Sequence, residues 1–208
     1  MKKILLILFL FMSIGPIHAA VDGALSMEAM QAQQEGNLTK QHIVAQKIIS
    51  KNPEDPYGYS LEADLLFKTE KYEEAILYYT KAINAVKTVK EQDGIKLRRK
   101  GVSDKDIAII LNFNSSLAKY YNSRGICKFE LNKEAAALND FISAEKFNNE
   151  KDFSISLYKA LCFIKLARYG EAKKELKITK RLAKSSDEKE TTEKLIQFIN
   201  KQIKLKGV

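Results

Sequence analysis

One spacing governs this chain. Tyr72-Glu73-Glu74-Ala75, followed at helical intervals by Tyr79 and Ala82, returns in looser form as Ala137, Phe141 and Ala144. It returns again as Tyr169-Gly170-Glu171-Ala172, with Leu176 and Thr179. A weaker copy runs through Leu38, Gln41, Ala45 and Ile48 and ends at Pro53. The first two copies lie 34 residues apart and the last two 35; the middle gap of 62 is one period plus an insert of 28. A period of this length belongs to helix–turn–helix units that bury their apolar faces only against neighbouring units. The expected fold is therefore all-α, a solenoid of antiparallel helix pairs with about four repeats and a closing helix.

Local signals set the boundaries. The first unit spans 22–55, with a helix from Ala24 to Glu35, a turn at Gly36-Asn37 and a second helix from Leu38 to about Ser50. Asp55 followed by Pro56 reads as an N-cap with proline at the first helical position. That opens the second unit, 56–89, with helices 56–69 and 72–88. An insert, 90–117, follows: Lys90 to Lys100 is polar and interrupted by Gly94, Gly101 comes next, and Ser103-Asp104-Lys105-Asp106 is a capping-box pattern that starts a helix near 104. No breaker precedes Asn132, so this helix is expected to run into the third unit, 118–151, where Asn132 caps the second helix. The fourth unit is 152–186. Ser185-Ser186-Asp187-Glu188 is a further capping box, and a terminal helix, 187–205, has one apolar stripe and many lysines, as an array's exposed end requires.

The first 19 residues read as a secretory signal peptide: Lys2-Lys3, an apolar run from Ile4 to Met12, Gly15-Pro16, and a small-residue cut after Ala19, with Ala20 the second choice. The expected location is outside the cytoplasm, periplasmic or secreted. Hydrophobic residues are 45% and charged residues 29%, which excludes a disordered chain. The net charge of +9 is uneven: residues 20–89 carry 7 basic and 10 acidic groups, residues 151–208 carry 15 and 7. The basic C-terminal third suits an anionic surface such as lipid, wall polymer or nucleic acid, or is simply a solvated lysine-rich face. Cys127 and Cys162 are 35 apart, at the same place in successive units. Packed helix axes stand about 8–10 Å apart, too far for a disulfide, so two buried thiols are expected.

The repeat resembles the tetratricopeptide repeat. Small residues stand where that family packs helices closely: Ala63, Gly125 and Ala160 in first helices, Ala75, Ala137 and Ala172 in second helices. Tyr79, Phe141 and Leu176 stand where it places one large side chain between them. The sequence departs from the family at Glu134, where an aromatic is usual, and at Gln41, where alanine is usual. The resemblance implies a right-handed solenoid that binds partners along a concave face made by the first helices. It carries candidate partner-binding roles to Tyr57, Ser60, Asp64, Phe67 and Lys68 in the second unit. In the third unit it does so for Asn122, Ser123, Ile126, Phe129 and Glu130, and in the fourth for Leu157, Tyr158, Leu161, Ile164 and Lys165. The Lys, Arg and Asn cluster with which some members hold a chaperone C-terminus is missing, since Ser60 and Asp64 occupy its first helix.

Catalytic constellations are absent from the sequence. Once His18 leaves with the signal, His42 is the one histidine, with no ligand partner at helical spacing. There is no phosphate-binding glycine loop, zinc-protease pair or nucleophile elbow. The sequence points to a non-catalytic interaction scaffold with no cofactor, metal or small-molecule substrate, whose partner is a protein or peptide. Docking to an anionic surface through 151–208, and self-association through the insert, remain alternatives.

Overall fold

The computed structural model describes residues 23–206, all helices and short turns. The expected signal peptide lies outside the described residues. The helices are α1 (Gly23–Gln34), α2 (Leu38–Lys51), α3 (Pro56–Lys68), α4 (Tyr72–Arg99), α5 (Asp104–Ile110), α6 (Asn114–Glu130), α7 (Glu134–Phe147), α8 (Phe153–Lys165), α9 (Tyr169–Leu182) and α10 (Ser186–Lys206). Each packs chiefly on the helix before and the helix after it, with α5 a short side branch on α4 and α6 following α4 in the stack. This is a tetratricopeptide-like α-solenoid. Its apolar core is divided into clusters, each bridging adjacent units rather than closing on itself.

The seams follow the sequence pattern. Ala63, Ala75, Ala82, Ala137, Ala144, Ala160 and Ala172 are wholly buried, and so are Phe141 and Leu176, with Tyr79 almost so. A residue with only a Cβ lets backbones approach, and the large side chain fills the groove beside it. Burial of each such large side chain contributes about 1.5–3 kcal/mol.

Sharp reversals between paired helices come from one repeated device. α1, α3, α6 and α8 all end with a residue in left-handed conformation: Gly36 (φ 65°), Glu70 (φ 59°), Asn132 (φ 55°) and Ala167 (φ 56°). At each, one backbone N–H closes back three residues and the next closes back five, as in Lys71 N–H to Leu66 O at 2.9 Å and Arg168 N–H to Phe163 O at 2.8 Å. This pairing satisfies the orphan carbonyls of the helix end. Asn132, expected as an N-cap, serves here instead; the N-cap of α7 is Lys133, without a side-chain bond.

The insert is the main departure from the sequence reading. α4 does not stop near residue 88 but continues to Arg99. Val86, Val89 and Leu97 stay buried along one face, and their burial overrides the cost of about 1 kcal/mol for Gly94 in a helix interior. Gly101 (φ 79°) ends α4 by the same left-handed turn. Ser103 then caps α5, accepting from Asp106 N–H at 3.2 Å. α5 does not run into the third unit; it stops at Ile110. Leu111 and Phe113 are both buried in the main core. Residues two apart point to nearly opposite sides of a helix, so delivering both to one core requires a break.

Candidate functional site

First helices approach one another directly, α3 against α6 and α6 against α8, whereas among the described residues α4, α7 and α9 make no comparable contacts. The first helices therefore form the tighter, inner layer of the curve. The candidate residues all lie on these first helices, and the structure sorts them into three groups.

Some have been drawn into the packing. Tyr57 leans on the first unit's cluster of Leu25, Ala29, Val44 and Ile48. Burial raises its phenol, partly offset by the Lys119 charge. Ser60 is buried, its hydroxyl donating to Tyr57 O at 2.8 Å. Phe67 packs on the main core and meets Tyr72 edge-on at 6.0 Å. Ile126, Phe129 and Tyr158 pack on the third unit's core; Tyr158 stacks on Phe141 at 5.4 Å and takes the Phe129 edge at 5.5 Å. The Tyr158 phenol is raised by burial, then by the nearby charge of Glu130.

Others are tied in polar contacts. Asp64 accepts from the Tyr79 hydroxyl at 2.7 Å and from Lys119 at 2.6 Å, joining α3, α4 and α6. Lys165 reaches Glu134 at 3.3 Å and the Asn132 side chain at 2.9 Å, and lies 4.4 Å over the Phe129 ring. Glu134, which breaks the family pattern, thus holds the fourth unit to the third.

Ile164 packs on the closing cluster of Ala160, Ala172, Leu176 and Ile199, and Ser123 hydrogen-bonds Tyr79. The rest remain available: Lys68 is exposed, and Leu157, Leu161 and Asn122 are half-buried. The Asn122 amide oxygen is buried without a hydrogen-bond partner. Nearly all buried polar atoms are paired, and leaving one unpaired costs about 1–3 kcal/mol.

Sequence reasoning missed a second, structural set. The residue before each close-approach position, Glu62, Arg124 or Lys159, reaches back to the preceding unit's second helix. His42 Nδ1 lies 2.8 and 3.0 Å from the Glu62 carboxylate. Arg124 donates to Thr80 Oγ1 at 2.9 Å and forks onto Asp140 at 2.8 and 2.7 Å. Lys159 bridges Glu145 at 2.7 Å and Glu175 at 3.1 Å. Burial alone would lower the Lys159 ammonium, but the two carboxylates reverse that and hold it raised. A charged residue beside the small one, repeated in three units, was the available signal. Removing one partner from the most buried of these pairs, Arg124–Asp140, costs about 3–5 kcal/mol.

Among the described residues no cluster of His, Cys, Asp and Glu could hold a metal ion. Burial pushes the Cys127 and Cys162 thiols up to about 12, and both are free and fully buried. Thiols so placed are not nucleophiles. No helix of the described residues is long and apolar enough to cross a membrane.

No family model matches the chain, and no curated protein matches it. Solved structures do. The pilF protein of Pseudomonas aeruginosa shares 14% identity at a TM-score of 0.39, over 88% of this chain and 90% of that one. A thermophilic TPR protein of Thermus thermophilus shares 16% at 0.42, over 86% of this chain and 100% of that one. The assignment to a tetratricopeptide-like array rests on the packing of this chain's own helices.

Proposed function

We propose that the protein is an exported, non-catalytic scaffold that holds a segment of another protein against the inner face of α3, α6 and α8. The Asn122 amide carries this reading. It sits on α6, the middle of the three first helices, with a buried, unsatisfied oxygen, and turning the amide over would bring that acceptor to the surface for a guest backbone N–H. Leu157 and Leu161 on α8 supply half-buried apolar surface, and Lys68 and Glu130 supply exposed charge. Such a mixture suits an extended or helical peptide with apolar anchors and charges of both signs. Phe67, Phe129 and Tyr158 contribute shape through edges already fixed by packing, so their removal would unsettle the array as well as the groove.

A photo-reactive residue at position 157, compared with one at exposed Leu77 on α4, tests the reading in the native cell. Adducts to one discrete protein at 157 and none at 77 are expected. Equal labelling at both positions would remove the inner face from the argument. Self-association through the insert would have to use Ile95 and Ile109, which stay exposed while Leu97, Ile107, Leu111 and Phe113 enter the core.

A further inference from the structure

The inner face leaves the far end of the array unexplained. α10 closes the solenoid by packing Leu195, Ile196, Ile199 and Ile203 against α8 and α9. On the flank turned away from that contact lie Lys194, Phe198, Lys201 and Leu205, spaced by four, three and four residues, hence one stripe. Phe198 is 43% exposed and Leu205 71%. From Lys194 onward the described helix contains no acid, while Lys194, Lys201, Lys204 and Lys206 are basic. The acids of α10 sit in its first half and are engaged locally: Asp187 accepts from the Ser186 hydroxyl, Glu188 accepts from the backbone N–H groups of Lys184 and Ser185, Glu190 meets Lys194 and Glu193 meets Lys180. On α9 the residues opposite the buried Ala172, Leu176 and Thr179 are Lys174, Lys177 and Arg181, while Glu171, to one side, is paired with Arg168. The first units carry the opposite balance, so the molecule presents its positive end first to an anionic surface.

We infer that this end, led by the Lys194–Phe198–Lys201–Leu205 stripe of α10, docks on an anionic lipid surface. Charge alone would suit a nucleic acid or an acidic polymer; a nucleic acid could stack a base on the phenyl ring but has no use for the more exposed isobutyl group beside it, and an acidic polymer has a use for neither. A lipid interface takes both, with lysines at the phosphates and the two apolar groups in the acyl boundary. Docking this way rests on α10 and not on the inner face, so it stands or falls independently of peptide binding there.

The chain contains no tryptophan, so Phe198→Trp creates a single reporter. The folded full-length variant is mixed with phosphatidylcholine vesicles containing or lacking phosphatidylserine. A blue shift on the phosphatidylserine vesicles alone, reversed by salt, is the expected result. In co-sedimentation, Lys201→Gln and Lys204→Gln should each weaken binding about fivefold. Leu205→Ala and Phe198→Ala should each weaken it about tenfold or more. Because these side chains are exposed, the variants should melt like the parent. Three results would overturn the inference: no shift on either vesicle, binding to polyphosphate that Phe198→Ala leaves unchanged, or a fall in solution mass on Phe198→Ala, which would make the occupant a second copy.

Discussion

The Gly125–Phe141 seam gives the sharpest test of the packing. A Cβ built on Gly125 would lie 2.8 Å from Phe141 Cε1 and 3.0 Å from Cδ1 and Cζ. The ring cannot yield easily, since Phe141 is fully buried and stacked on Tyr158. Overpacking of this kind costs about 1–3 kcal/mol. Against it stands a gain of about 1 kcal/mol for alanine over glycine in a helix. Gly125→Ala should therefore destabilise by about 1 kcal/mol. The fourth unit pairs Ala160 with Leu176 at the equivalent place. In a Phe141→Leu background the clash is gone, and the same substitution should stabilise by about 1 kcal/mol, a coupling of about 2 kcal/mol. The second unit pairs Ala63 with Tyr79, so alanine beside an aromatic can be built, and the cost stays moderate rather than prohibitive. Urea unfolding of the four proteins, followed by far-ultraviolet circular dichroism, measures the cycle. If Gly125→Ala raises the midpoint equally in both backgrounds, the close approach at this seam is not what selects glycine.

Two further outcomes follow from local geometry. Ala167 is exposed and left-handed (φ 56°), where a Cβ costs about 1 kcal/mol, so Ala167→Gly should raise stability by about that amount in the same urea assay. The Cys127 and Cys162 thiols should resist alkylation at neutral pH until the chain unfolds. Their folded values, raised by burial from 9.0 to about 12, mean that the stability they carry is complete below pH 9 and is lost as pH climbs towards 12. The loss is at most about 1.4 kcal/mol per pH unit for each thiol. Tyr79 and Tyr120 are raised in the same direction, chiefly by burial. Urea midpoints on either side of pH 9 read the effect, and a midpoint that does not fall on the alkaline side would contradict it.

The candidate site was legible only as a face. The resemblance to the tetratricopeptide repeat assigned Lys68, Asn122, Leu157 and Leu161 to the first-helix stripe, because position along a regular repeat fixes direction. It could not tell that Tyr57, Ser60 and Phe67 on the same stripe would be taken up by neighbouring units, since that depends on the distance between helices. Nor could it find Arg124 and Asp140, whose meeting brings together two helices across a turn.

By itself the sequence determined the stacking. A period of 34 or 35 with small residues opposite large ones allows units to bury their faces only on one another, and periodicity is a local property. Asp55-Pro56, Ser103 and Ser185 announced helix starts because a capping side chain acts within a few residues. What tertiary structure decided was where continuity fails. Glu70, Asn132 and Ala167 turn left-handed without being glycine, because the next helix must fold back onto the last and its packing outweighs the local strain. α4 runs through Gly94, and the chain breaks at Leu111, for the same reason: the core's demand for Leu97, Leu111 and Phe113 exceeds what backbone preference alone would allow.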